Sequence, residues 1–264
     1  MFENYFENLD IDILKKSIEY FWSLDFGQVS SKEIGQAYID CFRQGEMIEI
    51  PTCYYGIIIN QGEKLYRIRP DINEYSGIKS IQDFSYNPNP KLGTIERFSK
   101  DFDKILYLSL CMSVPLKEIG IVPGNRFLFI EYEAVNEIPL RAANISNWFT
   151  TDNPNNEEKV KILNEFVNQI MSISTDKNKF AYNLTTLLKD YFPFSIIDES
   201  VGWFYQSVKA QGSNIALIYP KANNSLKVSD FRVVEMQSDG KLFTYTNENM
   251  ETKIKQIIDS GIII

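Results

Sequence analysis

The chain has 264 residues, of which 44% are hydrophobic and 14% aromatic, a composition typical of globular proteins that bury a sizeable core. Its 27 Lys and Arg residues against 35 Asp and Glu residues give a net charge of -8, and no segment is rich in Lys or Arg, which argues against nucleic-acid binding. Histidine is absent, which excludes Ser-His-Asp and Cys-His nucleophile systems and histidine-ligated zinc.

The N-terminal segment and the cysteines bear on location and metal binding. Segment 1–10 is acidic where a secretory signal would be basic, and no apolar run approaches the roughly 18 residues of a membrane span. We therefore expect a cytoplasmic protein with no membrane partner. Cys41, Cys53 and Cys111 are odd in number and lack metal-ligand spacing, so we expect small buried hydrophobic residues and no metal site.

The first part of the chain is patterned as helices. Segment 11–22 places its apolar side chains at helical spacing, and Ser30 with Glu33 forms a capping box ahead of a second apolar face. Residues 1–60 are therefore predicted to form a helical N-terminal extension.

The pattern then changes to that of strands. Segment 54–70 holds a β-branched run, a polar turn and alternating residues before Pro70, which predicts two paired or adjacent strands. Segment 71–100 is rich in Asn, Pro, Ser and Gly, which indicates an ordered loop region with a functional role.

Segment 104–120 is predicted to join a strand to a short helix. Tyr107 alternates with leucines in the strand, Ser113 is expected to cap the helix, and Gly120 is expected to end it. The helix places the carboxylate of Glu118 near the end of the preceding strand.

In the rest of the chain, predicted helices follow one another in groups, and so do predicted strands. Blocks of helices and strands without a regular βαβ alternation predict the α+β class. A strand is predicted at 125–134, helices at 160–171 and 180–191, strands at 202–208 and 214–220, and a terminal helix from residue 248.

Three central segments carry polar residues whose order along the chain is similar to that of a known protein family. "LYRIRP" holds Arg67 and Arg69, "LYLSLCMSVPLKEIG" holds Tyr107 and Glu118, and "GWFYQSVKAQGSNIAL" holds Ser207 and Asn214. Together they resemble the RES family, which is named for an arginine, a glutamate and a serine. Its members carry a "YR-R" strand, a "YL(A/S)" segment followed by the glutamate, and a late hairpin with the pattern "G..Y.S" and then "G.N". The resemblance covers roughly residues 61–220.

A further family element, "GR.N" before the conserved tyrosine, corresponds by spacing to "ERFS" at 96–99, with Arg97 as its arginine. Glu96 stands where the family has glycine, and Ser99 stands where it has asparagine. These departures bear on whether the element keeps its function.

The resemblance implies a fold similar to the ADP-ribosyltransferase toxins, with a mixed β core, flanking helices and NAD as substrate. Family members consume NAD by phosphorolysis or hydrolysis, or modify proteins by ADP-ribosylation, and are toxins restrained by a helix-turn-helix antitoxin. NAD, inorganic phosphate and such an antitoxin are therefore the implied partners. Residues 61–220 are the implied catalytic core, and 221–264 the implied C-terminal appendage packed on it.

The resemblance also implies a role for each site residue. Cleavage of the nicotinamide–ribose bond passes through an oxocarbenium-like state, which favours negative charge near the ribose and positive charge on the pyrophosphate. Arg67, Glu118 and Ser207 are the implied catalytic residues. Arg67, supported by Arg69 or Arg97, would clamp the pyrophosphate through forked donors.

The remaining roles concern the ribose. Glu118 would stabilise the cationic ribose or position the nucleophile. Tyr107 would stack on or hydrogen-bond the nicotinamide ribose, and Ser207 would hold the nicotinamide side or orient the ribose. Asn214 is explained equally well by a ligand contact and by a turn.

Other interpretations stay open at this point. A glutamate such as Glu118, taken alone, is typical of a solvated helix end. The altered "ERFS" element favours a non-catalytic module that binds a nucleotide or partner without turnover. A glycosidase-type carboxylate pair lacks a second acidic residue in a comparable place.

Overall fold

The structure is a computed structural model. It describes residues 3–45, 47–48, 56–86, 104–143, 149–173, 184, 200–222 and 224–259. The helices are α1 (Glu3–Asn8), α2 (Ile11–Ser23), α3 (Ser31–Asp40), α4 (Ser113–Ile119), α5 (Glu157–Ser172) and α6 (Glu248–Asp259). The strands are β1 (Arg43–Gln44), β2 (Met47–Ile48), β3 (Gly56–Ile59), β4 (Lys64–Arg69), β5 (Ile105–Ser109), β6 (Arg126–Ala134), β7 (Ile138–Ala143), β8 (Gly202–Gln206), β9 (Ser213–Ile218), β10 (Leu226–Met236) and β11 (Leu242–Tyr245).

Contacts within the chain define two compact units. The helical unit comprises Met1–Tyr55, Ile95–Phe98 and Asn144–Ser195, and the sheet unit comprises Gly56–Thr94, Ser99–Ala143 and Ile196–Ile264. This grouping differs from the ranges 1–60, 61–220 and 221–264 expected from the sequence, because β10 and β11 belong to the same sheet as the central strands. Every predicted site residue that the structure describes lies in the sheet unit.

The helical unit is built around aromatic side chains. Asp10 caps α2 by accepting hydrogen bonds from the backbone of Asp12 and Ile13, and the predicted capping box of Ser30 and Glu33 is confirmed at α3. The apolar face of α5 packs its Phe166 ring within 5.2 Å of the Phe21 ring. Further described rings of this cluster are Tyr5, Phe6, Trp22, Phe26, Tyr38, Phe42 and Phe149.

In the described part of the sheet unit, nine strands form one sheet in the order β11-β10-β6-β4-β5-β9-β8-β7-β3. Neighbouring strands are antiparallel except for β7 and β8, which are parallel. A large, mostly antiparallel sheet together with separate helices confirms the predicted α+β class. Among the described residues, no helix is both long enough and apolar enough to cross a membrane.

The expectation that the two strands of 54–70 pair with each other or lie side by side is wrong. β3 pairs with β7, whereas β4 pairs with β6 and β5. The polar segment between them is bonded to β6, because Gly62 donates to the Ala134 carbonyl and Ala134 donates to the Glu63 carbonyl. These bonds make β3 and β4 successive parts of one ribbon, so the segment bends the chain without reversing it.

Different segments of the chain pack on the two faces of the sheet at β4, β6 and β10. On one face, Leu116 of α4 packs with Ile121 against Ile68, Phe129 and their neighbours. On the other face lies the segment 72–86, whose Phe84 ring is 5.5 Å from the ring of Phe231. This two-sided arrangement decides on which side of the sheet each candidate residue lies.

Several predicted elements agree with the structure, and some were missed. The strand at 125–134, the helix at 160–171, the strand pair at 202–220 and the terminal helix match β6, α5, β8 with β9, and α6. β7, β10 and β11 were not predicted. The predicted helix at 180–191 lies outside the described residues except for Leu184.

Candidate active site

Helix α4 carries Glu118 to its position. Met112 occupies the N-cap and makes no side-chain capping bond, so the expected cap at Ser113 is wrong, and Ser113 is the first residue of the helix. Gly120 ends the helix as predicted, in a left-handed conformation with φ of 74° that glycine adopts at little cost. Glu118 is therefore in the last turn and half-buried.

Residues distant in sequence meet at the Glu118 carboxylate. Ser207 donates a hydrogen bond to Oε1 of Glu118 at 2.6 Å, and Nδ2 of Asn214 donates to the same oxygen at 2.9 Å. A hydroxyl and an amide that donate to one carboxylate oxygen fix the orientation of the carboxylate. No described residue donates to Oε2. One oxygen of Glu118 is thus anchored by two donors, while the other has no donor among the described residues.

A buried serine completes this arrangement. Ser109 and Asn214 are paired in register on β5 and β9, and they are 3% and 5% exposed. Ser109 donates to Oδ1 of Asn214 at 2.6 Å, which orients the amide so that Nδ2 points to Glu118. We call Ser109, Glu118, Ser207 and Asn214 the carboxylate cluster.

The hairpin between β8 and β9 brings Ser207 to the cluster. Ser207 accepts hydrogen bonds from the backbone of Lys209 and Ala210 at its hydroxyl, and its own N–H donates to the Gly212 carbonyl at 2.9 Å. Gly212 has φ of 140°, and a Cβ there would lie 2.6 Å from the Val114 side chain of α4. Only glycine allows the hairpin to approach α4 this closely.

The two predicted arginines of β4 lie on the other side of the strand. Tyr66 is in register with Ser109, so it shares the face of the carboxylate cluster, and alternation directs Arg67 to the opposite face. There Arg67 donates to the Ser85 carbonyl at 2.6 Å. None of the described carboxylates forms a salt bridge with Arg67, although its charge acts on the Asp71 carboxylate and its guanidinium interacts with the Tyr132 hydroxyl.

Arg69 is already engaged. Its Nε and Nη2 donate to the two oxygens of Asp71 at 2.9 and 2.7 Å, and Nη1 donates to the Asp83 carbonyl at 3.0 Å. The bonds from Arg69 hold the pKa of Asp71 below its usual value. Binding of a ligand to Arg69 stays a prediction, and it would require replacement of this forked pair.

β4 and β5 meet at one described position. Tyr66 pairs with Ser109, and among the described residues no other residue of β4 pairs with a residue of β5. Tyr107 lies on β5 opposite Ala216, half-buried and on the same face as Ser109. The junction thus has Arg67 on one side and Tyr107 with the carboxylate cluster on the other.

The sequence predicted three of the four cluster residues. Ser109 was not predicted as a site residue, because its pairing with Asn214 depends on strand register. Arg97 lies outside the described residues, so its role stays a prediction.

The cysteines differ in their surroundings. Cys41 is buried, and burial raises the pKa of its thiol to about 12. Cys111 is exposed, contrary to expectation, because it follows the end of β5 where the chain turns into α4. Cys53 lies outside the described residues.

No protein-family model matches the chain, and no curated protein matches its sequence. A similar solved structure is the crystal structure of the M. tuberculosis MbcT–MbcA toxin–antitoxin complex. The similarity covers 67% of this chain and 87% of that chain, at 10% sequence identity and a TM-score of 0.31. We draw no conclusion about function from a similarity at this level.

Proposed function

We propose that the protein is an enzyme that consumes NAD by cleaving the bond between nicotinamide and ribose, through phosphorolysis or hydrolysis. The observation that carries the proposal is the carboxylate cluster, in which the predicted Glu118, Ser207 and Asn214 are joined by hydrogen bonds of 2.6 and 2.9 Å. The serine and asparagine are more than 85 residues from the glutamate in sequence, so their convergence is a property of the fold.

The cluster has the chemistry that the bond cleavage needs. As nicotinamide leaves with the bonding electron pair, positive charge develops on the ribose ring. An ionised Glu118, held through Oε1, presents Oε2 to that charge or to a hydroxyl of the ribose. Because the carboxylate is fixed before the reaction, little reorganisation is needed when the charge develops.

Arg67 supplies the complementary charge. Its guanidinium forms no salt bridge with a described carboxylate, and Arg67 is half-buried, which suits a pyrophosphate better than a solvated surface position would. We place the pyrophosphate at Arg67 and the nicotinamide ribose at Glu118, on the two sides of the β4–β5 junction. Tyr107 would contact the ribose from β5.

The biological setting is proposed from the sequence resemblance to the RES family. On that basis the sheet unit has an ADP-ribosyltransferase-like fold, and the protein is a cytoplasmic toxin whose activity a helix-turn-helix antitoxin restrains. Water or inorganic phosphate would attack the ribose, and the products would be ADP-ribose or its phosphate ester together with nicotinamide.

Incubation of the purified protein with NAD tests the proposal. Chromatography should show release of nicotinamide, with ADP-ribose formed in the absence of phosphate or ADP-ribose-1″-phosphate formed in its presence. Arg67→Lys should be impaired, because lysine keeps the charge but lacks the forked donors. An intact NAD pool after prolonged incubation of folded protein, with and without phosphate, would reject the proposal.

A non-catalytic nucleotide-binding module is the second candidate. Glu96 and Ser99 depart from the family element, and Arg69 is held by Asp71, so support for the pyrophosphate rests on Arg67 within the described residues. This candidate predicts saturable NAD binding by calorimetry without nicotinamide release. Incorporation of labelled ADP-ribose into a target protein would instead identify an ADP-ribosyltransferase.

A further inference from the structure

Tyr86 carries a buried hydroxyl for which the described part of the chain provides no hydrogen-bond partner. Its side chain is 4% exposed, and among the described residues its hydroxyl has no hydrogen-bond partner. Buried polar atoms are nearly always paired, because an unpaired hydroxyl has lost its water without gaining a replacement. An unpaired buried hydroxyl of this kind is a candidate for hydrogen bonding to a ligand.

The position of Tyr86 points to the Arg67 side of the junction. Arg67 donates to the carbonyl of Ser85, the residue immediately before Tyr86. Tyr132 of β6 donates to the carbonyl of Phe84 at 2.6 Å, so the backbone of Phe84 and Ser85 lies along the same face of β4 and β6. Tyr132 also interacts with the Arg67 guanidinium and with the Tyr86 phenol, so it is a shared neighbour of these two side chains.

The surroundings keep the Tyr86 phenol neutral. Burial raises its pKa, and the phenols of Tyr219 and Tyr132 act in the same direction. The ring of Tyr219 is 5.4 Å away in an edge arrangement. A neutral phenol donates one hydrogen bond, which suits an anionic oxygen.

We propose that the Tyr86 hydroxyl is a ligand-binding group, donating a hydrogen bond to an anionic oxygen of the pyrophosphate that Arg67 holds. This inference rests on the proposed function, which supplies the dinucleotide. In the absence of ligand the hydroxyl is unpaired, so its removal should affect folding and binding in opposite ways.

Tyr86→Phe and Tyr75→Phe form a matched pair for the test. Both substitutions remove one phenolic oxygen from the sheet unit, but the Tyr75 hydroxyl is paired with the Tyr245 carbonyl at 2.8 Å. The full chain is used, with ADP-ribose as the probe in calorimetry and thermal unfolding measured without ligand.

Tyr86→Phe is expected to bind ADP-ribose roughly three- to ten-fold more weakly, with an unfolding temperature equal to or above that of the wild type. Tyr75→Phe is expected to unfold at a lower temperature and to bind ADP-ribose normally. Equal affinities of the wild type and Tyr86→Phe would overturn the Tyr86 role and leave the proposed function intact.

The other outcomes are also decisive. A Tyr86→Phe variant that unfolds earlier or fails to fold would mean that the hydroxyl has a structural partner, which also overturns the role. A wild type that neither binds ADP-ribose nor consumes NAD would overturn the proposed function and this inference together.

Discussion

Glu118 is held through one carboxylate oxygen, and this suggests how its charge can be tested apart from its contacts. Glu118→Gln keeps an oxygen that accepts from Ser207 and Asn214 but removes the negative charge. We expect NAD cleavage to fall roughly 100-fold or more, because the developing positive charge loses its counter-charge. Thermal unfolding should change little.

Glu137→Gln provides the control for that substitution. Glu137 is exposed in the connection between β6 and β7, so its loss of charge should leave both activity and unfolding unchanged. If Glu118→Gln cleaves NAD at the wild-type rate, the Glu118 charge has no catalytic role and the carboxylate cluster is not an active site.

Ser109 is expected to act through Asn214. Ser109→Ala removes the donor that orients the amide, so NAD cleavage should fall several-fold, and the unpaired Oδ1 should lower the free energy of unfolding by roughly 1–3 kcal/mol. Ser109→Thr keeps a hydroxyl and should recover much of the activity. Ser225→Ala, at another buried serine, controls for the loss of a buried hydroxyl as such.

A double-mutant comparison separates positioning from general damage. In an Asn214→Ala background, Ser109→Ala should cause no further loss of activity, because the amide that it orients is gone. Independent, multiplying losses would show that Ser109 acts by another route.

At the scale of elements, the close approach of the β8–β9 hairpin to α4 decides the geometry of the cluster. Gly212→Ala would place a methyl group 2.6 Å from the Val114 side chain, in a backbone conformation that alanine disfavours. We expect a loss of roughly 1–3 kcal/mol in the free energy of unfolding and a larger proportional loss of NAD cleavage.

Gly240→Ala is the matched control for the cost of placing alanine in a backbone conformation with positive φ. Gly240 also has a positive φ, 80°, but a Cβ there would meet nothing within 4 Å. It should lose some stability without loss of activity. Equal activities of the two variants at a temperature where both are folded would contradict the role assigned to the hairpin.

Three strands are joined by an ion-pair strip whose pH dependence can be predicted. Lys64 of β4 and Lys227 of β10 donate to the two oxygens of Glu133 on β6 at 2.8 and 2.7 Å. The hydrogen bonds from Lys227 and Lys64 lower the pKa of Glu133 from 4.5 to about 2. A lowered pKa means stabilisation that is present above pH 4.5 and lost as the pH falls towards 2.

Glu133→Gln makes this measurable. The stability difference between the wild type and the variant should be constant above about pH 5 and should shrink as the pH falls through 4.5 towards 2. Because these side chains are partly exposed, 1 M salt should reduce the stability difference between the wild type and Glu133→Gln at neutral pH. A difference that is independent of pH would mean that the strip does not depend on the Glu133 charge.

At the scale of the whole molecule, the helical unit is assembled from separate parts of the chain. α5 comes from the second half of the sequence, yet its Phe166 ring packs against the rings of Phe21, Tyr38 and Phe42 from the first fifty residues. A variant lacking residues 1–50 would leave the apolar face of α5 uncovered. We expect aggregation and binding of a hydrophobic dye.

The activity of that variant bears on the location of the site. Any soluble fraction should keep some NAD cleavage, since the carboxylate cluster and Arg67 lie in the sheet unit. Lys15→Ala, which removes only the exposed pair with Glu158, should behave as the wild type. A soluble, folded truncated protein that is wholly inactive would assign part of the site to the first fifty residues.

The sequence by itself determined the elements whose signals are local. The capping box of Ser30 and Glu33, the apolar face of α5 and the glycine end of α4 each depend on residues within a few positions of one another. The identity of Glu118, Ser207 and Asn214 as candidates also came from sequence, through their order and their resemblance to a family.

The tertiary structure decided which strands pair and which side chains meet. The separation of β3 from β4 depends on bonds between the bend at Gly62 and Ala134, and the role of Ser109 depends on the register of β5 against β9. A shift of one position in register would turn Ser109 away from Asn214, because side chains alternate between faces of a sheet. Such pairings are set by contacts between residues far apart in the chain, which a local pattern does not encode.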